Sequence, residues 1–292
     1  MNSFRYDYAV IGGDMRQVYL TQLLAEENKT VCCSALCTTD TSGSSASVPL
    51  ETALGSSAHI IGPIPLSKDG GFFHQSGLKK NIPLKQLFTL LKPGQRFSAG
   101  CIPEDIRREA LEKGVCVSDF MQDAALAHFN TIATAEGVIC EAIKSSPVNL
   151  HKSCCAVLGY GKCGRILADD LKRMFCYVTV AASFEEELAQ AAVYADETLR
   201  LESFLLRINK YDFIFNTIPN ITLTRKALSR VKPSAVILDI ASAPGGIELT
   251  AAKELSVNAR SCPGLPGKYA PLSSARAIKE TIIQNERSSP CL

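Results

Sequence analysis

Cys154-Cys155-Ala156-Val157-Leu158-Gly159-Tyr160-Gly161-Lys162-Cys163-Gly164 is the stretch that decides the fold. Its first five residues are apolar without alternation, as in a buried strand, and they run straight into three glycines spaced Gly-x-Gly-x-x-Gly. From Lys162 to Cys176, Leu167, Leu171, Met174 and Phe175 recur at spacings of three and four. That is the stripe of a helix laid on a sheet. Alone the glycine spacing is weak evidence. Between a strand and an amphipathic helix it is the turn that sets a diphosphate on a helix N-terminus. Gly159 permits the tight turn, Gly161 lets backbone approach the ligand, and Gly164 lets helix and strand pack closely. Tyr160, Lys162 and Cys163 complete the loop and are expected cofactor contacts with it.

Moving outward, Tyr177 to Val180 reads as the second strand of a βαβ unit, followed by Ala181-Ala182-Ser183. Sites for NAD usually place a carboxylate there, on the ribose hydroxyls. The first acid is Glu185, and Glu185, Glu186 and Glu187 read as the start of a helix, whose dipole favours negative charge. Without an acid at the strand end, the 2′-phosphate of NADP is not repelled and Ser183 is placed to donate to it. NADP is the expected cofactor, with NAD as the alternative. Phe213 to Asn216, Ala235 to Ile240 and Val257 to Ser261 read as further strands. The turns after the first two, Asn216-Thr217-Ile218-Pro219 and Asp239-Ile240-Ala241-Ser242, fall at carboxyl ends, where open parallel sheets bind ligands. Thr217, Ile218, Pro219, Ala241 and Ser242 are therefore expected to line the cofactor.

The first half of the chain alternates in the same way. Tyr8 to Ile11 reads as a strand, Gly12-Gly13-Asp14 as a turn, and the residues to Glu27 as a helix. Strands are expected at Val31 to Ser34, His59 to Ile61, Leu87 to Leu91, Arg96 to Ala99 and Val115 to Ser118, with a helix near Glu104 to Lys113. Thr38 to Ser57 reads as a loop and Lys68 to Asn81 as an exposed connection. Asn130 to Lys144 is an expected helix ended by Pro147, and Leu272 to Asn285 a final helix before a frayed tail. The fold class is α/β, with two doubly wound parallel-sheet domains, the second a Rossmann dinucleotide-binding domain. Residues 1–128 form the expected substrate domain, with 272–292 packing back on it; 129–150 form a connecting helix and linker, and 151–271 the dinucleotide domain.

Composition narrows the function. In 292 residues, 31 basic and 29 acidic side chains are interspersed and leave a net charge of +2. There is no basic stripe for nucleic acid. No apolar run approaches the roughly 20 residues that span a bilayer, and the first residues lack a secretory pattern. A soluble, cytoplasmic protein is expected. The twelve cysteines include no Cys-x-x-Cys pair, so they read as small apolar filler in a reducing compartment, and no metal is expected.

Four segments carry a resemblance that covers nearly the whole chain. They are Ile11-Gly12-Gly13-Asp14-Met15-Arg16-Gln17, Thr134-Ala135-Glu136-Gly137, Leu238 to Gly246 with Ala-Ser-Ala-Pro-Gly-Gly, and Pro263-Gly264-Leu265-Pro266-Gly267-Lys268-Tyr269-Ala270-Pro271. Together they resemble the A subunit family of dipicolinate synthase. The resemblance implies a two-domain dehydrogenase of the sporulating mother cell that works with a flavoprotein-like B subunit. Its reaction would take a dihydrodipicolinate to dipicolinate, with NADP as acceptor. An arginine suited to the 2′-phosphate is missing beside Ser183, and residues 38–80 match poorly.

On this reading a dicarboxylate binds in a cleft between domains, and bidentate arginine suits it. Arg16, beside the first glycine turn, is the expected carboxylate clamp. Thr134 and Glu136 are expected to orient the substrate, and Pro263, Gly264 and Lys268 to stand near the cofactor. Lys268 and His128 are the candidates for catalysis, although no general base is assigned among His59, His74, His128 and His151. Alanine and 2-hydroxyacid dehydrogenases share this layout, but the latter usually carry a histidine in the cofactor half, and none follows His151. A scaffold that binds a dinucleotide without turnover is a third reading. Pairing of like subunits is common for such folds.

Overall fold

The computed structural model describes residues 4–38 and 45–288. Packing divides the chain into one unit of residues 1–129 and 270–292 and a second of residues 130–269.

The first unit is built on β1 (Tyr6–Ile11), β2 (Val31–Ser34), β3 (Ala46–Ser47), β4 (Ser57–Ile61), β5 (Arg96–Ala99) and β6 (Cys116–Asp119). All pair in parallel, in the order β3-β2-β1-β4-β5-β6. Its helices are α1 (Met15–Ala25), α2 (Leu50–Ser56), α3 (Leu84–Thr89), α4 (Glu104–Glu112), the start of α5 (Ala124–Ser145) and, after the second unit, α12 (Pro271–Ser288). Ala9, Ile11, Ile60 and Phe97 meet α2 and α3 on one face of the sheet. Tyr8, Val10 and Ile61 meet Ala275, Ile278 and Ile282 of α12 on the other. Strands buried on both faces explain the unbroken apolar runs.

Several local readings are corrected. Leu87 to Leu91 is not a strand: Leu84, Leu87 and Phe88 are buried on α3, because their spacing also fits one helical face. Ala46–Ser47 and α2 lie where a loop was expected, since Leu50, Ala53 and Leu54 supply a buried helical stripe behind Pro49; residues 39–44 of that stretch lie outside the described residues. The segment 68–81 is not simply exposed. Phe73 is buried, and its N–H donates to the Ile82 carbonyl at 2.8 Å. Residues 289–292 of the expected tail also lie outside the description.

Under α12, His59 of β4 is buried beside Tyr8 of β1. Its Nδ1 lies 2.9 Å from Glu286 Oε1 and its Nε2 2.7 Å from the Ser98 hydroxyl, while the Tyr8 hydroxyl donates to Glu286 Oε2 at 2.8 Å. A neutral imidazole satisfies both neighbours, donating to the carboxylate and accepting from the hydroxyl. Burial pushes the His59 imidazole down, and its bond to Glu286 only partly restores it. Burial pushes the Glu286 carboxyl up, but the bonds from His59 and Tyr8 outweigh this and hold it below its ordinary value. Both shifts have one sign for stability. An unfolded chain takes up protons at the ordinary values of 6.5 and 4.5, where the folded one does not. The contribution is therefore present above pH 6.5 and lost as pH falls through the histidine range and then the carboxylate range. Denaturant unfolding followed from pH 8 to pH 4 should show a falling midpoint, and His59→Gln should flatten its upper part; a midpoint indifferent to pH would contradict the assignment.

The second unit repeats the topology. Its strands are β7 (Cys154–Leu158), β8 (Tyr177–Ala182), β9 (Glu197–Arg200), β10 (Phe213–Asn216), β11 (Val236–Asp239) and β12 (Asn258–Ser261). They run parallel in the order β12-β11-β10-β7-β8-β9. Counted from each unit's first strand, both sheets have the order 3-2-1-4-5-6 of the dinucleotide-binding fold. Flanking them are α6 (Lys162–Arg173), α7 (Glu185–Ala191), α8 (Leu201–Leu206), α9 (Arg225–Leu228), α10 (Leu249–Glu254), α11 (Leu265–Tyr269) and the later part of α5. Leu167 and Leu171 of α6 are fully buried on the sheet, as their spacing demands. The strands β3 and β9, too short and polar to announce themselves, were not anticipated. Among the described residues no helix is long and apolar enough to cross a membrane, and no cluster of three metal-ligating side chains occurs.

Candidate dinucleotide site

The first turn of the second unit leaves the sheet at Gly159, whose φ of +86° lies in the left-handed region that favours glycine. The Gly159 N–H donates to Ala181 O of β8 at 2.8 Å, and the Thr217 N–H and hydroxyl both donate to Leu158 O, so the turn is tied to both neighbouring strands. Gly164 sits directly beneath it: a methyl group there would lie 2.2 Å from the Gly159 carbonyl oxygen. Gly161 is the opposite case. It is the residue before α6, is exposed, and a Cβ on it would meet nothing within 4 Å. Its neighbourhood is a cleft of ≈ 290 Å³ at the carboxyl ends of three strands. Gly159 and Gly161 form one wall, Ser183, Phe184 and Glu187 at the end of β8 another, and residues 217–220 after β10 the third. The shape fits a diphosphate: free backbone near the N-terminus of a 12-residue helix, with space that any side chain at 161 would take.

The equivalent turn of the first unit is closed. Gly12 and Gly13 also have positive φ, but the Gly13 N–H donates to His74 O at 2.9 Å and a Cβ on Gly12 would lie 2.4 Å from the Phe73 ring. The segment after β4 folds over this turn. Asp14 then caps α1 with a carboxylate where a bound anion would have to stand. Two sheets of one topology thus present one open turn and one filled by its own chain.

A buried pair braces the far side of the cleft. Asn216, at the end of β10, donates from Nδ2 to Asp239 Oδ1 at 2.9 Å and to Ile218 O at 3.0 Å. Asp239 also accepts from the N–H groups of Ala241 at 3.1 Å and Gly246 at 2.8 Å. One carboxylate thereby holds the Ala-Ser-Ala-Pro-Gly-Gly turn against the turn after β10. A Cβ on Gly246 would lie 2.2 Å from Asn216 Nδ2, which explains a glycine at that position.

Six of the expected cofactor contacts, Gly159, Gly161, Ser183, Thr217, Ile218 and Pro219, line this one cleft. Tyr160 turns inward into the apolar core, Lys162 is exposed on the first turn of α6, and Cys163 is half-buried. Ala241 and Ser242 follow β11, and Pro263 and Gly264 are exposed between β12 and α11; none of the four lines the cleft. Lys268, on α11, forms an ion pair with Glu141 of α5, and the Tyr269 hydroxyl donates to the same carboxylate oxygen at 2.5 Å. These bonds hold the Glu141 carboxyl below its ordinary range. Phe184, Glu187 and Asn220 were missed by the sequence reading, which placed Asn216 and Asp239 in the two strand-end turns but did not pair them. Glu187 was visible in the sequence, but as part of the start of a helix.

None of the substrate candidates lines this cleft. Thr134 spends its hydroxyl on Asn130 O within α5, Glu136 is exposed on the same helix, and His128 lies exposed inside α5, which begins at Ala124. Gly137 explains the signature around them better: its missing side chain admits Leu265, whose Cβ would stand 2.9 Å from a Cβ at 137. Arg16 is 3% exposed. It donates from Nε to Asp14 Oδ1 at 2.9 Å, from Nη2 to Asp14 Oδ2 at 2.8 Å, and to the Ile64 carbonyl. Its guanidinium fastens the turn after β1 to the turn after β4. Arg16→Ala is expected to cost about 2 kcal/mol or more, because it strips two charge-assisted bonds from a half-buried carboxylate; urea unfolding with a loss below about 0.5 kcal/mol would contradict that role.

Comparisons with known proteins agree with this architecture. Residues 7–121 match the family described as the N-terminal domain of the dipicolinate synthase A subunit. The A subunit of dipicolinate synthase from Bacillus subtilis is 28% identical over 281 residues, covering 94% of this chain and 93% of that protein. The crystal structure of the corresponding A subunit from Bacillus halodurans superposes with a TM-score of 0.83 at 23% identity, covering 95% of this chain and 97% of that one. An L-alanine dehydrogenase superposes with a TM-score of 0.63 at 12% identity, over 95% and 90% of the two chains.

Proposed function

Because this chain resembles the A subunit of dipicolinate synthase along nearly its whole length, we propose that it is a nicotinamide-dinucleotide-dependent oxidoreductase of that type, dehydrogenating a dihydrodipicolinate to dipicolinate together with a second subunit. The observation that carries the proposal is the open turn at Gly161 above a cleft walled by the ends of β7, β8 and β10.

The dinucleotide, when bound, would supply an acceptor for the hydride that the substrate ring gives up on becoming aromatic, and the proton lost with it would pass to solvent. The chain's own part is to bind and orient. The free backbone before α6 receives the diphosphate, and Lys162 on its first turn adds positive charge. Phe184, 70% exposed at the end of β8, offers an apolar ring to the adenine. Thr217 anchors the first turn to the β10 turn, and Asp239 anchors the β10 turn to the one after β11. The cleft is thereby held in shape before any ligand arrives, which reduces the entropy lost on binding.

The test combines the purified chain, its partner protein, a nicotinamide dinucleotide and freshly generated dihydrodipicolinate, with the absorbance of the reduced nicotinamide followed over time. Reduction that requires this chain is the expected result. Its absence, with folded protein and intact substrate, rejects the dehydrogenase reading. Binding of the dinucleotide without turnover under the same conditions selects the scaffold reading instead.

A further inference from the structure

The charge around the cleft is uneven. Of the described residues that line it, Glu187 alone is ionisable. It stands with Ser183 and Phe184 at the end of β8. In an open sheet of this order, a dinucleotide with its diphosphate on the first turn sets its adenosine ribose against the end of the next strand, here β8. We infer that the site selects NAD over NADP, and that Glu187 is the residue that selects. The inference rests on the dinucleotide reading above and goes beyond it in naming the cofactor.

Two ligands that differ by one phosphate are separated by what meets that phosphate. A carboxylate in the cleft accepts hydrogen bonds from the free ribose hydroxyls of NAD, each stronger for being charge-assisted. The same carboxylate repels the 2′-phosphate of NADP, which brings close to two negative charges. Two more acids, Glu185 and Glu186, stand beside Glu187 in the first turn of α7. Glu186 accepts from Gln190, and Glu185 is paired with Arg200.

Arg200 is the arginine that the neighbouring strand carries to the end of β8. It closes β9 in register with Ala182 of β8. The sequence hides this neighbour, because 18 positions separate Ala182 from Arg200. Its guanidinium is turned to Glu185, however, and it does not line the cleft. Arg200 is therefore already neutralised by Glu185. A 2′-phosphate entering here meets Glu187 and finds no free cation among the described lining residues. The absence of an acid directly after β8, which pointed to NADP, is made good by an acid four residues on, brought back by the first turn of α7. Ser183 and Phe184 do not discriminate, since a hydroxyl and an apolar ring suit either cofactor.

Calorimetric titration of the full chain with NAD and with NADP, repeated for Glu187→Gln, tests the inference. NAD is expected to bind at least about tenfold tighter, from one charge-assisted bond gained and one repulsion avoided. In Glu187→Gln the preference should shrink several-fold, NAD weakening and NADP strengthening. The wild-type preference should also shrink as salt rises, since the repulsive part is partly screened. Tighter NADP binding by the wild type, or a ratio that the substitution leaves unchanged, overturns the inference and leaves the dinucleotide reading standing. Binding of neither cofactor to protein that retains its circular dichroism overturns the dinucleotide reading itself.

Discussion

Gly161→Asp is expected to abolish dinucleotide binding while leaving the fold intact. Gly161 has φ −71° and ψ −165°, a conformation open to any residue, and a Cβ there meets nothing within 4 Å. It is also the N-cap of α6 and supplies no side-chain cap. Aspartate is among the better residues at such a position, so stability should hold or rise by a few tenths of a kcal/mol. The same carboxylate would occupy the space assigned to the diphosphate, with like charge. Affinity should fall about a hundredfold or more, from steric exclusion and repulsion together. A thermal melt and a calorimetric titration on one sample separate the two effects. An unchanged affinity would mean that the diphosphate does not use this turn.

Gly164→Ala should do the reverse and damage the fold first. The added methyl group would stand 2.2 Å from the Gly159 carbonyl oxygen and 3.0 Å from its carbon, both backbone atoms. Retreat of the turn is blocked, since Gly159 is bonded to β8 and Leu158 carries two bonds from Thr217. The helix would have to lift from the sheet, opening a gap beside Leu167 and Leu171, which are fully buried. Overpacking of this kind costs about 3 kcal/mol, a large fraction of a domain's net stability. Denaturant unfolding should show that loss, with dinucleotide affinity falling alongside. A cost below about 1 kcal/mol would mean that α6 and the turn are less tightly packed than described.

The contrast between these two glycines shows what a sequence can carry. The run Cys154 to Leu158, the three glycines and the stripe of α6 are local signals, each readable within a dozen residues. They were enough to place the turn and the parallel sheet of the second unit. Periodicity failed where two periods fitted one stretch, as at Leu87, which is buried equally well on a helix or a strand. It also failed where the deciding neighbour is distant in the chain. His59 and Glu286 lie 227 positions apart, and no local pattern joins them.

The site was legible in the same uneven way. Gly159, Gly161, Ser183 and Thr217 to Pro219 each close or follow a strand, and parallel strands put those ends on one edge. Glu187 was assigned to a helix start, correctly, but the cleft it lines depends on how that helix turns back over β8. Arg16 stood beside a glycine turn and so invited a ligand, whereas Asp14, two residues before it, takes up its guanidinium. In the first unit the closing of the turn by Phe73 and His74 is a tertiary contact across some 60 residues, without a signature in the glycines themselves.

A crystal structure of the chain grown with saturating NAD is the most direct measurement of where the dinucleotide lies. The account predicts the diphosphate against the backbone from Gly159 to Gly161, with Thr217 to Pro219 opposite and the adenosine ribose beside Glu187. A well-ordered turn at 159–161 with no ligand on it, whether the dinucleotide is found elsewhere or nowhere, would contradict the account at its centre.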